Sequence, residues 1–264
     1  MADGFHRRDM ERPTTHRAFV QQLLGREDGR FNTVDYVGIS LPRFTYTITL
    51  CKNLKPSQDT KVLDVGRSYL SFLLAQHYVS VCTLGIPLGE HGYAHEYAGL
   101  DHERRPQNHI TFNLNDAQEQ GIETEQQFDL IVFAEVLEHL YTAPELVLYA
   151  LRNLLTENGL LVCLTPNAAA LPKRLRLLQG INPYERIRIN RNNPGHYREC
   201  TKDELEEIGR SAGLEMIHHS FCNYSPARTH LLPTNKSQVF ELLCRINPAF
   251  CLGQTAVYRK GPTI

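Results

Sequence analysis

The sequence predicts an α/β fold: a doubly wound, mostly parallel seven-stranded sheet with an antiparallel edge strand and an N-terminal helical cap. Three observations predict it. From Lys61 onward, short unbroken apolar runs alternate with helical segments, the pattern of parallel strands covered on both faces. The run "VLDVG" (62–66) ends in an acidic-x-Gly turn, where a strand hands over to a helix. The last third changes to strand, helix, strand, which suits an antiparallel hairpin closing one sheet edge.

In chain order, residues 1 to about 13 are charged and without periodicity. "THRAFVQQLLG" and "VDYVGISLPRFTYTITLCKNL" carry apolar residues at mostly helical spacing and form the cap, with Pro42 expected to start or kink a helix. Thr45, Thr47 and Thr49 alternate with Tyr46, Ile48 and Leu50, so a strand is the alternative there. The strands expected next are 61–65, 79–84, 109–113, 128–133 and 159–164. Between them lie the helix "YLSFLLAQHY", a long loop over 85–107, a short polar helix near 115–120 and the helix "APELVLYALRNLLTEN". A helix over 201–211 opens on Thr201 and Glu204, a capping-box spacing. Strand 214–221, helix 236–246 and the closing strand "CLGQTAVYRK" complete the chain. The division expected is a tail and cap over 1–54 and an α/β domain over 55–264, with an insertion at about 167–200.

The 264 residues suffice for a sizeable core, and 42% hydrophobic with 22% charged residues is the balance of a globular protein. A formal net charge of −1 gives no whole-chain field for nucleic acid or membrane. No apolar run approaches the roughly 20 residues of a bilayer span, and the polar N-terminus lacks a secretory apolar core. Seven cysteines without a CxxC pair do not form a disulfide or thiolate-zinc framework. The expectation is a cytoplasmic chain with reduced thiols and no membrane partner.

Ligands of open α/β sheets bind outside the carboxyl ends of the strands. Gly66 lets the backbone turn closely there, and Asp64 is placed either to fix the loop or to accept a hydrogen bond from an amino group. The motifs "VLDVG", "FDLIVFAEVLEHLYTAPELVLYALRNLL" (128–155) and "NGLLVCLTPN" (158–167) together resemble the class I S-adenosylmethionine-dependent methyltransferases, over about residues 55 to 260. The resemblance implies a Rossmann-like fold and S-adenosylmethionine as cofactor. It places Asp64, Gly66, Arg67 and Ser68 in the cofactor loop, Asn115 or Asp116 at the adenine amino group, and Glu135 on the cofactor side. The chain departs from the family at two points. Tyr69 and Leu70 stand where a third glycine is usual, and Ile86 and Pro87 replace the ribose-binding carboxylate, with Glu90 the nearest substitute. A fold member that has stopped methylating, repurposed or partner-binding, is the alternative these departures raise.

Glu135, Glu138 and His139 stand at i, i+3 and i+4, one face of a helix, and two carboxylates with an imidazole suit a divalent cation. The pattern, with His196 further on, resembles two metal-dependent branches of the superfamily: the small-RNA 3′-end 2′-O-methyltransferases and the ubiquinone-biosynthesis O-methyltransferases. It implies Glu135, Glu138, His139 and His196 as ligands of Mg²⁺ or another divalent cation, and O-methylation of a hydroxyl acceptor with His139 or His196 as general base. The same "EVLEH" run also serves metal-independent members as cofactor contact and packing.

Lys173, Arg174, Arg176, Arg186, Arg188, Arg191 and Arg198 crowd the insertion. They read either as a site for an anionic small-molecule or glycan acceptor or as a solvated helix face. Interleaved aromatics are sparse, which argues against an RNA end. The loop carrying His91, His95 and His102 is expected to cover the pocket rather than bind metal. His218 and His219 point to opposite faces of a strand.

Overall fold

The computed structural model describes residues 33–87, 106–187, 195–224 and 234–261. Helix α1 (Thr33–Leu54) leads into β1 (Lys61–Val65), α2 (Tyr69–Ala75), β2 (Ser80–Gly85) and β3 (Asn108–Thr111). A 3₁₀ turn at Leu114–Gln118 precedes β4 (Phe128–Ala134), and a second, Leu137–His139, precedes α3 (Pro144–Asn153). Then come β5 (Leu155–Pro166), α4 (Leu171–Leu178), α5 (Lys202–Ser211), β6 (Leu214–Cys222), α6 (Thr234–Ile246) and β7 (Gly253–Lys260).

The seven strands form one sheet in the order β3-β2-β1-β4-β5-β7-β6. The first five are parallel. The antiparallel pairing expected at the far edge is present: β7 slots between β5 and β6 and runs antiparallel to both. Strand order reverses between β1 and β4, so the carboxyl ends of those two strands flank the crevice where such sheets bind ligands.

Alternation within single strands builds the two faces of the sheet. In β1, Val62 faces one core layer and Leu63 the other; in β4, Leu130 and Val132 oppose Ile131 and Phe133. One layer is completed by Val147, Leu148 and Leu151 of α3 with Leu205 and Ile208 of α5. The other is completed by Phe44, Ile48 and Cys51 of α1 with Leu70, Leu73 and Leu74 of α2.

That second layer settles the segment at Thr45–Thr49, which is helical and not a strand. Phe44, Ile48 and Cys51 are spaced i, i+4, i+7 and buried together, a stripe only a helix can make. The threonine hydroxyls turn back on their own helix, Thr47 to the carbonyl of Arg43 at 2.9 Å and Thr49 to that of Thr45 at 2.8 Å. Pro42 neither starts nor ends the element, lying inside α1. Helix α3 stops at Asn153, short of the expected Asn158, and residues 155–158 already belong to β5. The Thr201–Glu204 capping box forms as expected: Thr201 N–H donates to the Glu204 carboxylate at 2.7 Å, and Glu204 N–H to the Thr201 hydroxyl at 3.3 Å. No helix among the described residues is long and apolar enough to cross a membrane.

Candidate functional site

The loop after β1 is held by a buried polar relay. Asp64 sits at the strand end, and its Oδ2 accepts from the Ser71 hydroxyl at 2.5 Å. Ser71 Oγ in turn accepts from the Ser68 N–H at 3.0 Å, while the Ser68 hydroxyl caps α2 by accepting from Leu70 N–H at 3.2 Å. Asp64 therefore fixes the loop, and its carboxylate is engaged within the protein. Burial raises its pKa to about 7, opposed by the Ser71 bond. Gly66 is required twice over: its φ is +82°, and a Cβ there would lie 2.7 Å from Cγ2 of Val136. Tyr69 and Leu70 do not project into the loop. Both are buried in the layer between the sheet and α1, so the bulk that replaces the usual third glycine is absorbed by the core.

Beyond β2 stand Ile86 and Pro87, and Glu90 lies outside the described residues, as do His91, His95, His102, Arg188 and Arg191. After β3, Asn113 caps the 3₁₀ turn, and its Oδ1 accepts from Asn115 N–H at 3.2 Å. Asn115 Oδ1 accepts from Tyr141 N–H at 2.8 Å, tying this turn to the segment after β4, and Asp116 Oδ1 accepts from the Asn113 amide at 3.4 Å. Asn115 and Asp116 thus stand at the same sheet edge as Gly66, on the far side of β1.

The "AEVLEH" run is not one helical face. Glu135 leaves β4 with φ +55° and precedes the short 3₁₀ turn that carries Glu138 and His139. Its carboxylate points to the cap: Arg43 of α1 lies at 3.2 Å, and the Tyr224 hydroxyl donates to it at 2.9 Å. Among the described residues the group able to hold a cation is Glu138, His139 and His196, each offering a ligand atom within 4.8 Å of the others. Glu135, expected as a fourth ligand, is not in that group because Arg43 and Tyr224 draw it away.

The three are braced from behind. Glu138 is fully buried; Oε2 accepts from the Thr165 hydroxyl at 3.1 Å, and Oε1 has no hydrogen-bond partner. Burial raises its pKa to about 8, assisted by the Glu135 charge and opposed by the Thr165 bond and Arg43. His139 Nδ1–H donates to the Gly195 carbonyl at 2.9 Å, which leaves the lone pair of the neutral ring on Nε2. His196 Nδ1 bonds the Glu199 carboxylate at 3.0 Å, and the second oxygen of Glu199 binds the Lys173 ammonium. The two imidazoles meet edge to face with centroids 4.8 Å apart. Tyr197 N–H donates to the Glu138 carbonyl at 2.7 Å, so the backbone also locks the His196 segment onto the 3₁₀ turn. Sequence reasoning missed Thr165, Gly195 and Glu199; only the i, i+3 spacing of His196 and Glu199 hinted at any of them.

Of the basic residues in the insertion, Lys173 is bound to Glu199, and Arg198 pairs with Glu204 at 2.5 Å. His219 bonds Gln254 of β7 at 3.1 Å.

The strand order and the glycine turn after β1 are consistent with the class I S-adenosylmethionine-dependent methyltransferases that the sequence motifs resemble. A family model described as a methyltransferase domain matches residues 51–219, and the chain belongs to that family. Solved structures agree in fold. The magnesium protoporphyrin IX methyltransferase of Synechocystis PCC 6803, with S-adenosylhomocysteine bound, is 16% identical at a TM-score of 0.55, covering 94% of this chain and 95% of that one. The N-methyltransferase NodS of Bradyrhizobium japonicum, also a S-adenosylhomocysteine complex, is 15% identical at 0.52, covering 94% and 98%. The CcbJ methyltransferase of Streptomyces caelestis is 14% identical at 0.54, covering 85% and 90%. No curated protein matches the chain in sequence.

Proposed function

We propose that this methyltransferase methylates a hydroxyl oxygen of a small-molecule or glycan acceptor with the help of a divalent cation. The observation that carries the reading is the buried, unpartnered Oε1 of Glu138 beside two imidazoles whose Nδ1 atoms are both anchored. A buried carboxylate oxygen without a donor is costly unless it is protonated or meets a cation. Imidazoles held through Nδ1 by a carbonyl and a carboxylate are in the tautomer and orientation that metal ligation uses. The residues therefore fit a cation such as Mg²⁺ or Mn²⁺, held by Glu138, His139 and His196. Such an ion supplies Lewis-acid activation of a bound hydroxyl.

The chain's own residues divide the remaining work. Gly66, Arg67 and Ser68 border the cofactor at the end of β1, with Asn115 and Asp116 across the crevice. Glu135, fixed by Arg43 and Tyr224, borders it at the end of β4. With His139 and His196 both held to the cation through Nε2, neither serves as the general base. Positioning supplies much of the acceleration for in-line methyl transfer.

The test is calorimetric titration of Mn²⁺ and Mg²⁺ into chelator-treated protein, with S-adenosylhomocysteine titrated in parallel. Micromolar to millimolar cation binding, lost in Glu138→Gln and His196→Ala while S-adenosylhomocysteine still binds, supports the reading. Cofactor binding with no cation binding would remove the metal and leave an unassisted methyltransferase.

A further inference from the structure

Helix α4 buries none of its side chains, and from Arg174 to Ile187 every residue except Pro183 is exposed. Leu175, Leu177, Leu178, Ile181 and Ile187 all stand in solvent, Leu178 83% and Ile187 63% exposed. Large apolar side chains gathered so closely on a surface mark a contact site. Arg174, Arg176 and Arg186 are interleaved with them, and Glu185 is the one acid between residues 171 and 187. The projection is nonetheless fixed at its base. Leu171 packs on the cluster of Phe240, Cys244 and Cys251. The Tyr184 hydroxyl donates to the Ala168 carbonyl at 3.0 Å, and the Arg174 guanidinium lies 5.5 Å from the Phe250 ring centre.

We propose, against the membrane-free expectation drawn from the whole-chain charge, that this projection is a peripheral membrane contact, docking on anionic lipid headgroups with Leu177, Leu178 and Ile181 entering the acyl boundary. Basic residues among exposed leucines are the complement of an anionic interface. The apolar side chains stand outward, and a fluid bilayer accommodates such knobs without a matching pocket. A second copy of the chain is a poor occupant, because a two-fold contact would bring two copies of the same arginine-rich face together. Nucleic acid would leave the leucines in water. With no described helix able to span a bilayer, the attachment is to one leaflet's surface.

The experiment is co-sedimentation of the full chain with phosphatidylcholine vesicles, with and without phosphatidylglycerol. Two variants accompany it, Leu177→Asp with Leu178→Asp, and Arg176→Ala with Arg186→Ala. All four positions are exposed, and thermal unfolding together with S-adenosylhomocysteine binding checks that the variants remain folded. Binding is expected on phosphatidylglycerol vesicles. It should fall at least about tenfold in the aspartate pair, roughly fivefold for each arginine removed, and further as salt rises. A wild-type chain that stays in the supernatant overturns the proposal, as does vesicle binding that neither variant weakens. A dimer seen by sedimentation velocity, broken by the aspartate pair, with no vesicle binding, would reassign the face to self-association.

Discussion

His139 donates from Nδ1 to the carbonyl oxygen of Gly195 at 2.9 Å, joining the turn after β4 to the residue just before His196 across 56 positions of sequence. The bond does two things at once. It fixes the His139 tautomer, and it draws the second imidazole up beside the first. Gly195 accommodates the approach with φ +83°. A His139→Ala variant should therefore weaken more than one ligand: His196 keeps its bond to Glu199 and the Tyr197–Glu138 backbone bond but loses the tie from the turn after β4 to Gly195. Cation affinity measured by calorimetry should drop by more than in His196→Ala, with thermal stability lowered by about 1 kcal/mol for the lost hydrogen bond.

The pH dependence of cation binding follows from Glu138. With its pKa raised to about 8, the metal-free carboxyl is mostly protonated at neutral pH, so a cation must displace that proton. Affinity should rise with pH up to about 8 and then level. Titrations in buffers of different ionisation enthalpy should show proton release at pH 7. In Glu138→Gln, which keeps an acceptor for the Thr165 hydroxyl, the protein should stay folded and both signals should vanish.

Glu199 acts through His196, and a graded pair of variants separates that role from simple packing. Glu199→Gln keeps an acceptor for Nδ1–H but loses the charge that binds Lys173; Glu199→Leu loses both. Supporting partners of this kind are worth roughly 10–100-fold in metal affinity. The expected order is wild type, then Gln, then Leu, with S-adenosylhomocysteine affinity unchanged throughout. Equal cation affinity in all three would leave Glu199 a structural residue only.

Asp64 should make stability fall as pH rises. Its folded pKa of about 7 lies above the ordinary carboxylate value, so the native state holds a proton that the unfolded chain has released. That contribution is full below about pH 4 and is lost progressively up to about pH 7. Asp64→Asn, able to accept from Ser71, should remove this slope. Denaturant unfolding of the two proteins across pH 4 to 8 reads it directly.

Gly66→Ala combines two penalties, a left-handed φ and a Cβ placed 2.7 Å from Val136 Cγ2. A loss of about 1–3 kcal/mol in stability is expected. S-adenosylhomocysteine binding should weaken as the loop after β1 shifts.

The sequence by itself determined the strands and most of the helices from β1 to β7, because each depends on local pattern; helix α4, inside the insertion, was not among them. Apolar runs of four to seven residues, an acidic-x-Gly turn and a Thr–Glu cap are written within a few positions of one another. Local pattern misled where tertiary packing overrode it. The alternation at Thr45–Thr49 lost to a buried stripe at helical spacing, and the bulk of Tyr69 and Leu70 vanished into the layer beneath α1. The site was legible as a list of residue types, and Glu138, His139 and His196 do converge. Membership was decided in three dimensions: the positive φ of Glu135 turns its carboxylate toward Arg43 and Tyr224, and Glu199 and Thr165 brace the ligands from distant elements. Spacing along a chain constrains which side chains can share a helix face. Which ones meet across a sheet edge depends on loops and packing partners far away in sequence, and those only the folded chain brings together.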